Sequence, residues 1–540
     1  MTANPRDFDR VAPNGTSGLH HVTLITRKVQ ANVDFYVGFL GLRLVKRTAG
    51  FEDAAQLHLF YGDRTGTPGS LVSFLVWEDG GPGRVGEGQP SEIAFAIAPG
   101  SIGFWLQRAL RYLVPVSGPA PEFGEPVLRL KDPDGVIVKL VGTTAVPGRN
   151  PAATDGIPPE DAIRALRGAT ILTSRAAETS SFLQRHTGFR SSEKSETIER
   201  LRSDAGDVID VRDASGFWTS APGTGTIDHI AVRAPSRAAV EALRERLGEE
   251  NAGPTPAHDR TYFFSLYVRE PGGSLIEVAT DSPGMTIDED EATLGTRLFV
   301  PGHFRDIAGE TATLEDMTVL LPQFGLPGEE RFAARDLPFI HRLHQADAPD
   351  GSTLFLLHGS GANELSLLPL ARKAAPHALL VALRGRSLEE GAPRFYRRLG
   401  AATFDQADIA SEAEALAAFV DGAASGYGID LERAAFLGCS NGANLIAASL
   451  FLQPGLIRRA ILLRSMMPLE TVPEADLSGT DVLVVSGADD SFDAYRPAQV
   501  KALTEAGAET TVVTLAAGHE LSPEDASTVA RWLDARPARS

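Results

Sequence analysis

Three polar residues set in apolar stretches carry the first sign of chemistry. His21 lies in Leu19-His20-His21-Val22-Thr23-Leu24-Ile25, His229 in Ile227-Asp228-His229-Ile230-Ala231-Val232, and Glu277 in Gly273-Ser274-Leu275-Ile276-Glu277-Val278-Ala279. Each stretch reads as a strand. Alternate side chains of a strand share a face, so His21 and Thr23 are expected to point one way and His20 the other. Two histidines and a carboxylate facing inward from strands form the ligand set of an octahedral divalent iron that keeps three positions open for substrate and dioxygen. A lone histidine in an apolar strand more often belongs to the core than to a metal. Here the reading rests on three such residues at corresponding positions.

A second constellation lies in the last third of the chain. Gly438-Cys439-Ser440-Asn441-Gly442 directly follows an apolar run at 434–437 and precedes a helix-forming run at 443–450. Small residues on both sides let the chain turn sharply from strand to helix and hold a serine hydroxyl above a sheet. Serine is a poor nucleophile until a base takes its proton. His519, in Ala517-Gly518-His519-Glu520, is the candidate base, and Ser486-Gly487-Ala488-Asp489-Asp490 offers the acid. A Gly-x-Ser-x-Gly string is weak alone; strand, helix, acid and histidine in the right order strengthen it. Cys439 reads as a small buried residue rather than a second nucleophile.

The elements that must position the first set recur. Four units of strand, helix and further strands are legible, opening near residues 19, 92, 167 and 227, with helices near 29–36, 103–112, 179–186 and 237–247. In the last unit Gly273 precedes Glu277 by four residues, and the corresponding pairs are Gly135 with Lys139, Gly206 with Asp210, and Gly69 with Ser73. The positions matching His21 and His229 are roughly Ile93 and Gly168. Units one and four therefore keep the ligands, Asp210 reads as a vestige, and unit one is expected to lie against unit four. His58 reads as structural, and His186, His303, His341 and His344 have no evident chemical partner.

These four strand-helix-strand-strand-strand units resemble the vicinal oxygen chelate superfamily, the fold of glyoxalases and extradiol dioxygenases. Leu19-His20-His21-Val22-Thr23, Gly41-Leu42-Arg43-Leu44-Val45-Lys46-Arg47-Thr48, Gly223-Thr224-Gly225-Thr226-Ile227-Asp228-His229 and Tyr267-Val268-Arg269-Glu270-Pro271-Gly272-Gly273 are similar to the dioxygenases that open hydroquinones. The resemblance covers about residues 16–304. It implies an α+β fold of four βαβββ modules, an Fe(II) cofactor with Mn(II) as alternative, and the metal ligands His21, His229 and Glu277. It also implies active-site roles for Thr23, Arg260 and Tyr267, with a small aromatic and dioxygen as substrates. Where such enzymes carry a second histidine before the last-module ligand, this chain has Asp228. An ionised aspartate accepts hydrogen bonds but cannot donate them, so substrate identity or the protonation step is expected to differ.

Short apolar strands at 352–357, 378–383, 434–437, 459–463, 482–486 and 511–515 alternate with amphipathic helices, which predicts a doubly wound, mainly parallel sheet. The order Ser, Asp, His is that of α/β-hydrolases. Residues 337–540 resemble their small carboxylesterase and phospholipase branch, including Arg384-Gly385-Arg386 and Pro393-Arg394-Phe395-Tyr396-Arg397-Arg398-Leu399. The resemblance implies Ser440, Asp490 and His519 as the triad, with Asp490 chosen over Asp489 by register. It also implies an oxyanion hole from the backbone amides of Ser360 and Asn441, and no cofactor.

At 540 residues the chain is too long for a single core. The expected division is an arm at 1–15, modules one and two at 16–150, modules three and four at 151–304, a linker at 305–336 and a hydrolase at 337–540. A net charge of -19 disfavours nucleic acid and anionic membrane as partners. A single cysteine excludes an internal disulfide and suits a reducing compartment. The first 14 residues lack the apolar core of a signal peptide, and no run approaches the ~20 apolar residues of a membrane span. The expectation is a cytoplasmic, homo-oligomeric bifunctional enzyme, a ring-cleaving dioxygenase fused to a serine hydrolase that acts on a small ester or the ring-opened product. Its rivals are a glyoxalase-type isomerase or lyase with nickel, zinc or manganese plus an esterase, and a non-catalytic ligand-binding module plus an esterase.

Overall fold

The computed structural model describes residues 17–536 except 52–55, 78–79, 147–150, 152–155, 302–336, 345, 347, 390–391 and 401. The arm expected at 1–15, the linker expected at 305–336 and His303 lie outside the described residues. Of those described, 17–301 form one compact unit and 337–536 another.

The first unit is four modules in sequence. Module one is β1 (Leu19–Thr26), α1 (Val29–Val33), β2 (Arg43–Ala49), β3 (Leu57–Gly62) and β4 (Leu71–Val76). Module two is β5 (Gln89–Ile97), α2 (Ile102–Arg111), β6 (Val116–Glu122), β7 (Glu125–Lys131) and β8 (Ile137–Gly142). Module three is β9 (Ala165–Thr173), α3 (Ala176–Thr187), β10 (Arg190–Lys194), β11 (Ile198–Arg202) and β12 (Val208–Asp213). Module four is β13 (Ile227–Ala234), α4 (Arg237–Glu249), β14 (His258–Asp259), β15 (Phe263–Arg269) and β16 (Leu275–Pro283), and β17 (Leu298–Phe299) follows it.

Modules one and four share a nine-stranded sheet in the order β14-β15-β16-β13-β1-β4-β3-β2-β17, and modules two and three an eight-stranded sheet in the order β10-β11-β12-β9-β5-β8-β7-β6. The expected apposition of the first and last modules is made by β1 and β13, which pair antiparallel. Strict alternation fails at one place. A register shift between Leu19 and His21 leaves a bulge at His20, and its ring meets that of His21 instead of pointing to the opposite face. The strands least legible in sequence are β6 and β10, the two ends of the second sheet. Their sequences, Val-Ser-Gly-Pro-Ala-Pro-Glu and Arg-Ser-Ser-Glu-Lys, are mostly exposed and blunt the edges with proline and charge.

The second unit begins with β18 (His341–His344), β19 (Thr353–Leu357), α5 (Leu368–Ala374), β20 (Leu379–Leu383), β21 (Ser387–Glu389), β22 (Ala392–Arg394) and α6 (Gln406–Tyr427). It continues with β23 (Ala434–Cys439), α7 (Asn441–Leu452), β24 (Arg459–Leu463), β25 (Asp481–Gly487), α8 (Arg496–Glu505), β26 (Glu509–Leu515) and α9 (Pro523–Ala535). Its sheet runs β18-β20-β19-β23-β24-β25-β26 and is parallel except for β18. Alternate residues of β19 feed two cores. Phe355 and Leu357 join Leu416 and Phe419 of α6 and Leu445 of α7, while Leu354 and Leu356 join Leu368 of α5 and Trp532 of α9. This is the doubly wound arrangement that apolar strands buried on both faces require. Among the described residues, no helix is long and apolar enough to cross a membrane.

Candidate active sites

Three adjacent strands carry the candidate metal ligands. His21 on β1 lies opposite Ala231 on β13, and Ala231 lies opposite Glu277 on β16, so the three form one row on one face of the sheet. The residue in the middle is small, and His21 and Glu277 meet over it. His229, two residues from Ala231, joins them from the same face. His21 Nε2 and His229 Nε2 lie 3.0 and 3.1 Å from Glu277 Oε2 and 3.4 Å from each other. Cis ligand atoms at ~2.1 Å from an octahedral ion are ~3.0 Å apart, so the three edges suit one facial set.

The partners behind the rings decide which nitrogens face inward with a lone pair. His20 Nε2 lies 3.1 Å from the Thr280 carbonyl, which can only accept, so Nε2 donates and Nδ1 is left as an acceptor. Burial, then the neighbouring His21, pushes His20 down to about 3 and keeps its ring neutral. His21 Nδ1, 2.8 Å away, donates to His20 Nδ1, which leaves His21 Nε2 unprotonated. His229 Nδ1 donates to Asp228 Oδ2 at 2.7 Å, which reserves its Nε2 in the same way. Glu277 is fully buried, and neither of its carboxylate oxygens has an aligned hydrogen bond. Burial alone would lower His229, but the carboxylates of Asp228 and Glu277 outweigh it and raise the ring to about 9. The two carboxylates therefore favour positive charge at this ring, carried either by a second proton on Nε2 or by a cation bound there in its place. A divalent cation fits this donor set.

The two histidines line a cavity of about 380 Å³ beside Phe51, Phe60, Tyr262 and Phe263, and Glu277 lies behind them. Thr23, Asp228, Arg260 and Tyr267 also line it. Tyr267 sits opposite Glu277 in the sheet, its ring edge-on to His229 at 5.3 Å. Burial, then Glu277, raises its phenol well above 10 and keeps it protonated. The Arg260 guanidinium lies 5.4 Å from the Phe51 ring and 5.3 Å from that of Tyr267. Asp228 turns a carboxylate oxygen to His229, so part of its accepting capacity orients a candidate ligand.

His58, read from sequence as structural, also lines the cavity. Its Nε2 lies 3.0 Å from Ser73 Oγ, which lies 2.8 Å from Thr23 Oγ1. Ser73 was visible in sequence as the module-one counterpart of Glu277; nothing in the sequence tied His58 to it. His186, His341 and His344 have partners in Glu250, Tyr427 and Arg372, at 3.2, 2.8 and 3.4 Å.

The other sheet carries different residues at the same positions. Strand register aligns Lys139 with Ala94 and Asp210 with Thr170, as Glu277 is aligned with Ala231. Counting back two residues, the counterpart of His229 in module two is Glu92. This corrects the approximate match to Ile93, a one-residue slip that would turn the side chain to the opposite face. Glu92 Oε2 contacts Lys139 Nζ at 3.0 Å, and Asp210 forms a two-point pair with Arg200 at 2.8 Å each. Ion pairs thus occupy the equivalent positions of this sheet.

In the second unit Ser440 stands between β23 and α7 with φ 50 and ψ -113. A non-glycine residue in this region costs about 1–3 kcal/mol, which surrounding packing must offset. The flanks have no space for a side chain. A Cβ at Gly438 would lie 2.5 Å from the Ala443 nitrogen, and one at Gly442 2.2 Å from the Leu357 carbonyl oxygen. His519 Nε2 is 3.0 Å from Ser440 Oγ, and His519 Nδ1 is 2.8 Å from Asp490 Oδ2. Asp490 is buried, whereas Asp489 is exposed. Ser360 and Asn441 line the adjoining cavity of about 500 Å³. Asn441 opens α7, where the first amides have no intrahelical acceptor. Burial pushes the Cys439 thiol up to about 12, so it is not ionised near neutrality.

Sequence reading missed one residue that holds the segment around His519. Arg464, which follows β24 with φ 51, donates from Nε to the Gly518 carbonyl at 2.9 Å and from Nη2 to the Glu520 carbonyl at 3.3 Å, on either side of His519. Asp525 anchors its guanidinium through two bonds of 2.9 Å.

Residues 18–140 match the profile of the Glyoxalase/Bleomycin resistance protein/Dioxygenase superfamily. MhqO of Bacillus subtilis (strain 168), named as a ring-cleaving dioxygenase, is 35% identical over 289 residues, 53% of this chain and 91% of its own. The chlorohydroquinone/hydroquinone 1,2-dioxygenase of Sphingobium indicum is 30% identical over 57% of this chain and 99% of its own. MhqD of Bacillus subtilis, named as a hydrolase, is 34% identical over 34% of this chain and 92% of its own. The crystal structure of a Bacillus subtilis protein described as a dioxygenase, 32% identical, superimposes with a TM-score of 0.55 over 58% of this chain and all of the other. The chain thus belongs, through its first unit, to the glyoxalase, bleomycin resistance protein and dioxygenase superfamily alongside the ring-cleaving dioxygenases, and joins to it an α/β-hydrolase.

Proposed function

We propose that the first unit is an Fe(II)-dependent, extradiol-type dioxygenase that opens a hydroquinone-like or catechol-like ring, with Mn(II) as the alternative ion, and that the second is a serine carboxylesterase. The observation that carries the first half is the meeting of three candidate ligand atoms, on His21, His229 and Glu277, at an aromatic-lined cavity that the two histidines line. The name of the Sphingobium relative supports a hydroquinone-type substrate. When bound, the ion supplies open coordination positions and a path for electrons from an electron-rich ring to dioxygen.

The chain's own residues do the rest. His20 and Asp228 fix the tautomers of the two ligand rings. Arg260 places a positive charge where a substrate phenolate needs one. Tyr267, held protonated, donates a hydrogen bond to a developing oxyanion. Thr23, Ser73 and His58 form a hydrogen-bonded chain at the cavity wall that orients the Thr23 hydroxyl toward the substrate, and burial pushes the His58 ring down to about 3, so it stays neutral. In the second unit His519 takes the Ser440 proton, Asp490 holds the imidazole in the required tautomer, and the amides of Ser360 and Asn441 receive the charge of the tetrahedral intermediate.

Anaerobic protein loaded with Fe(II) and given hydroquinone should consume one dioxygen per ring on aeration and yield a product heavier by two oxygen atoms. Glu277→Gln should retain less metal and take up no oxygen. Absence of uptake with either ion, together with turnover of a hemithioacetal under nickel or zinc, would move the first unit to the glyoxalase-type reading. A protein that retains no transition metal would move it to a ligand-binding module. Cleavage of a p-nitrophenyl ester by wild type but not by Ser440→Ala tests the second unit.

A further inference from the structure

The cavity above Ser440 has a wall whose charge the triad does not explain. Arg394, at the end of β22, and Arg398, four residues on, both line it. Arg394 Nη1 lies 3.2 Å from Glu389 Oε2 and Arg398 Nη2 2.9 Å from Glu389 Oε1, so two guanidinium groups share one carboxylate. Glu389, on the facing strand β21, is not among the residues lining the cavity. Arg394 is nearly buried, at 5% side-chain exposure, and Arg398 is 44% exposed. Arg394 also donates from Nε to the Tyr396 carbonyl at 3.4 Å and Arg398 from Nε to Glu389 Oε1 at 3.2 Å; a guanidinium with five N–H groups still keeps donors for a second anion. The third arginine of the lining, Arg464, is neutralised by Asp525. The lining carboxylate, Glu520, is exposed on the loop that carries His519.

We infer that this cavity selects substrates bearing a carboxylate in addition to the acyl group that Ser440 attacks, with Arg394 and Arg398 holding that carboxylate. The inference rests on reading Ser440 as the nucleophile. The reaction itself is unaltered: Ser440 Oγ displaces the alcohol, and water then releases the acid. Such a preference also matches the proposed chemistry of the first unit. Inserting both atoms of dioxygen between a hydroxyl-bearing ring carbon and its neighbour leaves a carboxyl group at the first and a carbonyl at the second, so the opened ring is an anion at neutral pH. The opened ring itself contains no ester, so the match lies in its carboxylate alone: the substrate of this hydrolase is an ester that also carries a free acid, and ring opening supplies one where the aromatic bears the ester beforehand.

The test uses the full-length protein and a matched pair of esters, monomethyl adipate and its neutral counterpart methyl adipamate, followed by pH-stat. The wild type should favour the acid by about tenfold or more in kcat/KM, and the ratio should shrink as salt is raised. Arg398→Gln and Arg394→Gln should each lower that ratio at least fivefold. Arg398 is half-exposed, so its variant remains informative if Arg394→Gln fails to fold. Equal or better turnover of the neutral ester by the wild type, or a ratio that survives both substitutions, overturns the inference. Binding of adipate measured by calorimetry separates the two layers. No cleavage of any ester, with adipate still bound and lost in Arg398→Gln, sinks the nucleophile reading and leaves an anion site. Cleavage of neutral esters without adipate binding sinks the anion site alone.

Discussion

Ala231 has no polar atom, yet the arrangement of the first site depends on it. It stands between His21 and Glu277 in one row of the sheet and is fully buried. A longer side chain there would fill the space the three ligand atoms enclose. Ala231→Leu should therefore lose bound metal and oxygen uptake, and metal analysis of the purified variant, with its melting temperature, would show whether the loss is local. Asp228→Asn makes a subtler change. The amide keeps an oxygen to accept the His229 Nδ1 proton but loses the charge that makes the ring a stronger ligand, and chelator competition should report metal held about 10–100-fold more weakly. Unchanged affinity would mean that Asp228 serves the substrate alone. The contrast between His21 and His58 explains how much of this site was legible. His21, His229 and Glu277 stood out because a polar residue in an apolar strand is unusual and the repeats placed the three in register. His58 and Ala231 were illegible for opposite reasons, one a histidine with a bland structural alternative, the other an alanine in an apolar strand. Both owe their roles to side chains on neighbouring strands, a relation that only register supplies.

The loop between β26 and α9 carries His519 but does not hold it unaided. The fork of Arg464 spans the Gly518 and Glu520 carbonyls, and Asp525 on α9 anchors the fork while its Oδ2 also accepts from the Ser522 amide at 2.7 Å, capping the helix. A lysine can satisfy Asp525 as a point charge but cannot reach two carbonyls and a carboxylate in one plane. Arg464→Lys should then lower kcat for ester cleavage about 10–100-fold with KM within about twofold, since small displacements of a catalytic base cost rate rather than binding. A parallel rise in KM, or a loss explained wholly by unfolding, would make Arg464 a packing residue. The elbow at Ser440 was legible because its glycines sit where no side chain fits. This clamp was not, because an arginine after a strand and an aspartate in a first helical turn each have ordinary explanations. Edges such as β6 were obscure for another reason: exposed, proline-bearing strands lack the alternation that marks a buried one.

At the scale of the whole chain, two chemistries sit in separate cores. Every candidate metal ligand and every residue lining the first cavity falls between residues 21 and 275 or at Glu277, and the triad with its cavity falls between 359 and 521. The four-module repeat and the alternating strands and helices made this division readable. The pairing of module one with module four was readable too, because those two carry the candidate ligands and a metal needs them on one face; the pairing of two with three emerges only from the strand order. The inner pair shows why the reading stopped there. At the equivalent positions Glu92 pairs with Lys139 and Asp210 with Arg200, which no spacing rule announces. If the cores act separately, each can be silenced alone. A chelator that strips the metal should end oxygen uptake and leave ester hydrolysis within about twofold, the size of a small or absent coupling free energy. Ser440→Ala should do the reverse. Measuring both activities on the same preparations makes the comparison internal: loss of both from either treatment would mean that the state of one site reaches the other, and the two units would then have to be treated as one catalytic body.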